Sequence, residues 1–524
     1  MLNAVRIWLV RRLLARLHTP RDVARWAFRR YAQRQAVVDA QGGLSYAELG
    51  DRTFRIAAAW RLQGLKAGET VAVHLPDGIA QIEARLAAAE CGAVLCLLAP
   101  WSTREQVLAA LPMVGPRLFV HDGRDPALSR ALREHLPELP QRLLQAGRSE
   151  DLPPGPGKPC KDHIDPSALL SLCFTSGTTG APKVLSATHG AQLSSLRLLL
   201  DNVELGKPMA KQDTLLVGVP LAGAGSGVLL PTLLSGGRLV VPERCEAGCL
   251  IDCIEQHGVT RLFTTPSLLI DLLDHPDLVR ARRGSLRNII YGTEVTPVPK
   301  LEEALRHFGP ILQQGYGSAE VLPPVSMLQP HEHWARGGPA PRETLRSCGR
   351  VVPQVTVRIV DEAGQEVPPG TPGEVLIKSP TLFGGYWQRP ELSAQSFADG
   401  YLRMGDMGWL SAKGYLTTLG RKPDLLQREG RRIYPRLVED ALHDHPAIKE
   451  ASYVQGPQGT VMAFSLRRNW RARHSTQHWS RELAAHLESR VPGWQLPEAW
   501  QLFEELPRSP LGKLLRREVR RVVQ

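Results

Sequence analysis

A run of glycines and hydroxyl side chains that ends in one lysine follows an apolar stretch at residues 168–174. Hydroxyls and backbone N–H groups can surround a polyanion, glycine lets the backbone approach closely, and the ammonium group adds charge. The run lacks the P-loop signature, because Ala181 and Pro182 separate the last glycine from the lysine. We predict a phosphate-binding loop, and the alternative is an ordinary polar turn. Its candidate residues are Thr175, Ser176, Gly177, Thr178, Thr179, Gly180 and Lys183.

Four further stretches place aromatic or titratable side chains on turns. QGYGSAE at 314–320 ends a strand with an aromatic residue and a carboxylate, and GYLRMGDMGWL at 400–410 puts an aspartate between strands. GRKPDLLQREGRRIYPRLVEDAL at 420–442 begins a new pattern, and LPRSPLGKLLRRE at 506–518 puts a lysine on a glycine turn. Each stretch alone is equally typical of a plain turn, a linker or a basic tail, so only their common order along the chain is informative.

The elements that must hold these stretches alternate between strands and helices. Residues 35–100 and 190–320 alternate short apolar runs with helical patterns, which predicts parallel α/β layers. Within the first of these, an amphipathic helix should begin at Ser45. Residues 345–410 are β-rich and interrupted by turns, and a fresh α+β pattern begins after residues 422–424. A chain of 524 residues is too long for one core, so we expect two or more domains.

Composition narrows the partners and the compartment. The chain has 64 Lys+Arg against 52 Asp+Glu, and this net charge of +12 favours nucleotides, coenzyme A, an acidic carrier protein or an anionic membrane surface. The sequence has no zinc finger, RNP-type aromatic motif or basic zipper, so no nucleic-acid partner is expected. The 8 cysteines are scattered and form no disulfide framework, which predicts a reducing, cytoplasmic location.

The N-terminal segment, residues 1–20, is rich in arginine and aliphatic residues and has no acidic residue. We interpret it as a basic amphipathic segment. Peripheral membrane contact through this segment is one interpretation, because such helices lie on anionic surfaces. A first helix that packs on the body of the protein with its arginines exposed is the other.

Taken together and in order, the five stretches resemble the adenylate-forming (AMP-binding) superfamily, of the acyl-CoA synthetase and acyl-AMP ligase type. The resemblance implies an α/β fold with a large N-terminal domain of two α/β subdomains plus a β-subdomain, over residues 21–421. A small, mobile α+β C-terminal domain over residues 424–524 would carry Lys513. It also implies that a carboxylate attacks the α-phosphate of ATP to give acyl-AMP, and that the acyl group then passes to a thiol.

The resemblance assigns catalytic roles to three residues. Lys513 would bridge the carboxylate and the α-phosphate during adenylation, and the mobile domain would bring it in and remove it. Lys183 and its loop would wrap the β- and γ-phosphates. Glu320, with Thr175, would hold Mg²⁺, a hard cation that takes oxygen ligands and bridges phosphates.

The resemblance also assigns residues to the nucleotide, the acid and the hinge. Tyr316 would stack on adenine, and Asp406, assisted by Arg421, would hold the ribose hydroxyls. The remaining residues assigned to ATP are Gly292, Thr293, Glu294, Gly317, Ser318 and Ala319. Those assigned to the acyl pocket are Ala222, Gly223 and Gly315, and those assigned to the hinge are Pro423 and Asp424.

Several positions depart from the family pattern. Ala319 stands where most members have threonine, and fatty-acyl-AMP ligases, which deliver acyl groups to carrier proteins, tend to have alanine there. Pro423 fixes φ at the hinge position, so we expect a hinge displaced by a residue or two, or impaired domain alternation. Gln427 replaces the usual lysine of that motif. Small residues at 220–227 open the acyl pocket and include no aspartate for a substrate ammonium group, which disfavours α-amino acids.

We therefore predict an ATP- and Mg²⁺-dependent ligase that activates a fatty, aryl or polyketide-like carboxylic acid. The acceptor would be coenzyme A or the phosphopantetheine of an acyl carrier protein. The alternative is a non-catalytic or adenylation-only member that binds nucleotide or acyl groups, which the departures at Pro423, Gln427 and Ala319 favour. The presence of all five polar site residues opposes it: Lys183, Glu320, Asp406, Arg421 and Lys513.

Overall fold

The computed structural model describes residues 12–145, 152–174, 183–206, 209–279, 285–470 and 475–523. The chain is built on two large mixed sheets. The first has seven strands, and the last five in its spatial order run parallel to one another. In spatial order its strands are Gly385–Tyr386, Val184–Thr188, Leu169–Phe174, Val94–Leu97, Thr70–His74, Leu118–His121 and Gln141–Leu143.

The second sheet has nine strands, and its six central strands run parallel to one another. Its hairpin at residues 35–45 precedes the first sheet in sequence, yet it joins the second sheet by pairing Val37 with Leu239. Early residues therefore divide between two sheets that the alternating pattern alone did not separate. In spatial order the strands are Arg350–Val351, Ser326–Leu328, Leu312–Tyr316, Asn288–Gly292, Arg261–Thr264, Thr214–Gly218, Arg238–Val240, Gln35–Asp39 and Gly42–Ser45.

Helices connect these strands, as the strand–helix alternation predicts. The helix Tyr46–Leu62 begins after Ser45, whose hydroxyl accepts from the backbone N–H of Glu48 while the Glu48 carboxylate accepts from the backbone N–H of Ser45. This capping box confirms the predicted start. The α-helices before the C-terminal part are Pro20–Arg30, Tyr46–Leu62, Ile79–Cys91, Arg104–Val114, Pro126–His135, His189–Gly206, Leu229–Ser235, Ala247–His257, Pro266–Leu273, Val298–Phe308, Arg342–Arg346 and Pro390–Gln395.

A third, antiparallel sheet forms the β-rich part of the chain. It packs a hydrophobic cluster that includes Ile359, Val375 and Leu402 and that extends to Met327 and Leu185 of the two large sheets. The fold is thus two α/β layers plus a β-subdomain, as expected. The strands of the antiparallel sheet are Thr356–Val360, Gly373–Lys378, Phe397–Ala398, Tyr401–Leu410 and Leu416–Arg421.

The C-terminal residues form a smaller α+β unit with a hydrophobic cluster of its own. Trp479, Tyr453 and Phe464 lie at the centre of this cluster, and all of its members follow residue 425. The cluster lies wholly on the C-terminal side of the boundary at 421–424, which stays a prediction. The elements are the hairpin Leu426–Arg428 and Arg431–Ile433, the sheet Ile448–Gly456, Gly459–Leu466 and Ala499–Phe503, and the helices Pro435–Leu442, Thr476–Glu488 and Arg516–Val522.

The described part of the N-terminal segment lies against the body of the protein. Leu14 and Leu17 are buried in one cluster with Leu193 and Leu196, and the Arg197 guanidinium donates to the Leu14 carbonyl at 3.1 Å. Residues 1–11 lie outside the described part of the chain. Among the residues described, no helix combines the length and the apolar character that crossing a bilayer requires.

Candidate active site

Four neighbouring parallel strands of the nine-stranded sheet end at one edge. They are Thr214–Gly218, Arg261–Thr264, Asn288–Gly292 and Leu312–Tyr316. Three of these strands, at their ends and in the loops that follow, carry the predicted residues 222–223, 292–294 and 315–320. Ligands of open α/β sheets bind beyond the carboxyl ends of the strands, so the topology gathers these loops into one candidate site.

Tyr316, Asp406 and Arg421 form one hydrogen-bonded group at this edge. The Tyr316 hydroxyl donates to Asp406 Oδ2 at 2.6 Å, and Arg421 Nη1 donates to Asp406 Oδ1 at 3.1 Å and to the Met404 carbonyl at 3.0 Å. Burial raises the pKa of Tyr316 well above its usual value, and the Asp406 charge adds to the effect, so the phenol remains a donor. The structure therefore brings together the residues predicted for adenine and ribose.

Lys183 and Glu320 approach each other through an aromatic residue that the sequence did not single out. The Lys183 ammonium lies 5.3 Å from the centroid of the Tyr386 ring, a cation–π distance. Burial raises the pKa of Tyr386, with the charge of Glu320 as the next cause. Tyr386 arrives because Gly385–Tyr386 pairs with the strand Val184–Thr188. Its only sequence signal was the Gly-Gly-Tyr-Trp run at 384–387.

The turn that carries Glu320 is tightly held. The Ser318 hydroxyl accepts from the backbone N–H groups of Glu320 at 3.1 Å and Val321 at 3.3 Å. A Cβ on Gly317 would lie 2.9 Å from Pro323 Cα, so only glycine fits there. Ala319 is exposed. The turn thus fixes the backbone on which the Glu320 carboxylate stands.

Gly292 and Thr293 bring the backbone unusually close to the neighbouring strand. A Cβ on Gly292 would lie 2.6 Å from the Gly315 carbonyl oxygen, so glycine is required. Thr293 has φ 78°, a left-handed conformation that costs a β-branched residue energy. Its buried hydroxyl has no hydrogen-bond partner in the part of the chain that the structure describes. Strain and an unsatisfied donor together are typical of a ligand-binding position.

Lys513 reaches the same edge from the C-terminal unit. Its loop turns at Gly512, which has φ 80°, and the Gly512 carbonyl accepts from the Ser267 hydroxyl at 3.1 Å. The Leu514 N–H points to Glu294 Oε2 at 3.4 Å. The Lys513 side chain is exposed to solvent in part, yet neighbouring groups remove enough water from the ammonium to lower its pKa, and the charge of Glu294 opposes this. The other charges that act on Lys513 come from Arg421, Glu320 and Asp406.

Charged contacts hold the C-terminal unit in this orientation. Lys300 is buried, and its ammonium donates to the Ile448 carbonyl at 2.7 Å. Burial lowers the pKa of Lys300 to about 8. Around it are further contacts between the two parts of the chain: Lys449 with Asp271 at 2.8 Å, Arg342 with Asp444 at 2.8 Å, Arg346 with Asp440 at 3.1 Å, and Arg436 with the Thr418 carbonyl.

The hinge residues and two of the three predicted acyl-pocket residues fall on short turns, and the third, Gly315, lies in the strand Leu312–Tyr316. Pro423 and Asp424 lie in the 3-10 turn Lys422–Asp424, which is anchored on one side by Lys422 to Glu374 at 3.0 Å and on the other by Arg520 to Asp424 at 2.6 Å. Ala222 and Gly223 are partly buried on the loop after the strand Thr214–Gly218, just before the 3-10 turn Ala224–Val228. Six predicted phosphate-loop residues lie outside the described part of the chain: Thr175, Ser176, Gly177, Thr178, Thr179 and Gly180.

This arrangement has a counterpart among known proteins. The family described as AMP-binding enzyme matches residues 24–387. The chain belongs to this family. It is 31% identical over 489 residues to the feruloyl-CoA synthase of Amycolatopsis sp, with 91% of this chain and 94% of that protein covered.

Two further relatives differ from it in acceptor. The chain is 28% identical to the fatty acid–[acyl-carrier-protein] ligase of Streptomyces coeruleorubidus, over 91% of each chain. The solved amide bond synthetase of Marinactinospora thermotolerans superimposes with a TM-score of 0.84 at 26% identity, covering 96% of this chain and 99% of that one. Family membership makes this chain an AMP-forming ligase that activates an acid as its acyl-AMP.

Proposed function

We propose that this ligase uses ATP to activate a fatty, aryl or polyketide-like carboxylic acid and transfers the acyl group to a thiol. The observation that carries the proposal is the convergence of the Lys513 loop with the sheet edge, where the Leu514 N–H lies 3.4 Å from Glu294 and the Ser267 hydroxyl donates to the Gly512 carbonyl at 3.1 Å. Two parts of the chain contribute to this convergence, which suits a site that is assembled and taken apart between two half-reactions.

The nucleotide is held first. Asp406 takes the ribose hydroxyls as a charge-assisted acceptor, and Arg421 keeps that carboxylate in place. Tyr316 provides the aromatic face for adenine while its hydroxyl orients Asp406. The hydroxyl of Thr293, which is buried and unsatisfied in the described structure, turns to the bound nucleotide. Lys183 and the loop before it take the terminal phosphates.

The chemical step brings two anions together, so it needs fixed positive charge. Lys513 supplies it between the acid carboxylate and the α-phosphate, where it offsets the charge of the transition state. Glu294 positions the loop that carries Lys513, because it accepts the Leu514 N–H and lies 3.5 Å from Arg508. The carboxylate oxygen forms a bond to the α-phosphorus, and pyrophosphate leaves with the electrons of the broken bond.

Magnesium fits the residues present. Among the described residues no group of three or more His, Cys, Asp or Glu side chains could hold a metal by itself. A lone carboxylate beside a phosphate loop suits Mg²⁺, which keeps several waters and takes the rest of its ligands from substrate phosphates. Glu320 would hold the ion with Thr175, and the bound ion would neutralise charge on the phosphates.

We propose coenzyme A as the acceptor, with the phosphopantetheine of an acyl carrier protein as the second thiol. The relatives named for coenzyme A and for a carrier protein support a thiol acceptor. An amine is the remaining candidate, since an amide bond synthetase shares the fold over nearly its whole length. If the acceptor is not coenzyme A, we expect the structural cause to lie in the anchored turn around Pro423, where the hinge is predicted.

The test measures acid-dependent pyrophosphate release across a panel of fatty and aryl acids. Lys513→Ala should lower release by about 100-fold, the usual loss when one charge-stabilising group is removed. The matched control is Lys413→Ala, an exposed lysine on the turn before the strand Leu416–Arg421, which should not change release. Release without any acid requirement, or ATP binding with no release for any acid, would make the chain a nucleotide-binding member without this activity.

A second stage identifies the acceptor. Coenzyme A, a phosphopantetheinylated carrier protein and a small amine are each added to enzyme that has formed acyl-AMP from the best acid. Faster turnover with coenzyme A supports the proposal. Turnover with only the carrier protein or only the amine would reject coenzyme A as the acceptor and leave the proposed adenylation step standing.

A further inference from the structure

A leucine of the Lys513 loop fills the space beside a glycine of the predicted acyl pocket. If Gly223 carried a Cβ, that atom would lie 2.8 Å from Leu511 Cδ2 and 3.8 Å from Leu511 Cδ1. Carbon atoms in contact lie about 3.5–4.0 Å apart. A side chain at position 223 and the observed position of Leu511 therefore exclude each other.

The loop backbone that carries Leu511 is held at the residues that follow it. Gly512 accepts a hydrogen bond from Ser267 at 3.1 Å, and Leu514 donates to Glu294 at 3.4 Å. Ser267 and Glu294 follow two of the parallel strands that end at the site edge, and Gly223 follows a third. Leu511 is thus placed against the acyl loop by the same docking that brings in Lys513.

We propose that Leu511 is a specificity-determining residue, a movable wall that closes the acyl pocket over Gly223. The proposal rests on the proposed function, in which residues 222–223 line that pocket. Because Leu511 stands two positions before Lys513, an acid that occupies the space of Leu511 also keeps Lys513 from its place. The size of the acid therefore decides whether the loop can complete the catalytic site, so discrimination between acids appears in the rate of adenylation.

Shortening Leu511 should change which acids are used. In Leu511→Ala the pocket gains the volume of a leucine side chain, so acids with a bulkier group near the carboxylate lose their clash. Relative to the best wild-type acid, their kcat/KM for pyrophosphate release should rise by about ten-fold or more, the size of effect that a few methylene groups produce in an apolar pocket. The same ratio should stay constant in Lys413→Ala.

Adding a methyl group at position 223 should have the opposite effect. Gly223→Ala pushes Leu511 out of its place, and kcat/KM should fall about ten-fold for every acid, as overpacking predicts. The matched control is Gly338→Ala in the strand Gly338–Pro339, away from the site, where a Cβ would meet nothing within 4 Å. The double variant Gly223→Ala with Leu511→Ala should recover the lost activity, because the second change removes the clash created by the first.

Melting temperatures of the wild type, Gly223→Ala, Leu511→Ala and the double variant test the packing without any need for turnover. Gly223→Ala should lower the melting temperature when Leu511 is present and change it little when residue 511 is alanine. Three results together support the proposal: turnover by the wild type, an altered acid preference in Leu511→Ala, and this rescue. Equal loss for all acids in Leu511→Ala, or no rescue in the double variant, overturns it while wild-type pyrophosphate release still upholds the adenylation. No release by the wild type would instead reject the proposed function, and the melting temperatures would still decide whether the two residues pack.

Discussion

Replacing Thr293 with glycine should make the protein more stable and less active. Thr293 combines φ 78° with a buried hydroxyl that has no partner in the described part of the chain. Both features cost free energy in the unliganded protein. We expect both costs to be retained because the hydroxyl binds the nucleotide.

The magnitude follows from three terms. Relief of the left-handed conformation contributes about 1–2 kcal/mol, and removal of an unsatisfied hydroxyl contributes about 1–3 kcal/mol. The greater freedom of glycine in the unfolded chain offsets about 0.5–1 kcal/mol of this. The free energy of unfolding should therefore rise by about 2 kcal/mol. Loss of one neutral hydrogen bond to ATP should raise the KM for ATP by about three- to ten-fold.

The assay pairs urea-induced unfolding without ligand with pyrophosphate release at varied ATP concentration. Thr293→Ser keeps the hydroxyl, so its KM for ATP should stay close to the wild-type value. The matched control for backbone strain is Gln354→Gly, since Gln354 is exposed and has φ 70°. This control should gain up to about 1 kcal/mol of stability and leave the KM for ATP unchanged.

Two results would refute the reasoning about Thr293. A loss of stability in Thr293→Gly would mean that the threonine makes a stabilising contribution that outweighs its conformation. A gain of stability with an unchanged KM for ATP would mean that the hydroxyl does not contact the nucleotide.

Two further predictions concern the domain interface and the ribose site. Burial lowers the pKa of Lys300 to about 8 from 10.5, so between these pH values the unfolded chain binds more protons and the free energy of unfolding of the wild type rises with pH. By about pH 9.5 this gain should approach 2 kcal/mol. Lys300→Met should lack the gain when urea unfolding is compared at about pH 7 and pH 9.5. Tyr316→Phe removes the donor 2.6 Å from Asp406, so kcat/KM for ATP should fall about ten-fold with the unfolding midpoint little changed; an unchanged kcat/KM would show that Arg421 alone positions Asp406.

Local signals were sufficient for much of the fold. Ser45 and Glu48 predict a helix start because a capping box depends only on residues within one turn. The alternation of apolar runs with helical patterns predicted parallel strands, which the pairing of Thr70–His74 with Val94–Leu97 confirms. The pattern could not say that the hairpin at 35–45 belongs to the other sheet, because both sheets bury strands of the same composition.

The candidate site was predicted wherever motif order was the signal. Asp406, Arg421 and Tyr316 were chosen as residues of separate motifs, and the structure joins them by hydrogen bonds. Tyr386 was missed, since nothing near it in sequence connects it with Lys183. Their contact arises from an antiparallel pairing between residues far apart in the chain.

By itself, the sequence determined the family and the order of strands and helices, and it predicted the groups that would meet ATP and the acid, because these depend on residue types and on local spacing. Only the tertiary structure decided that Leu511 lies against Gly223, that Lys300 is buried beneath Ile448, and that Thr293 is strained. These features depend on how distant segments dock and on the backbone angles that docking imposes. A contact between loops carried by different parts of the chain leaves no periodic pattern, so the role in acid selection that we propose for Leu511 could be inferred only from three dimensions.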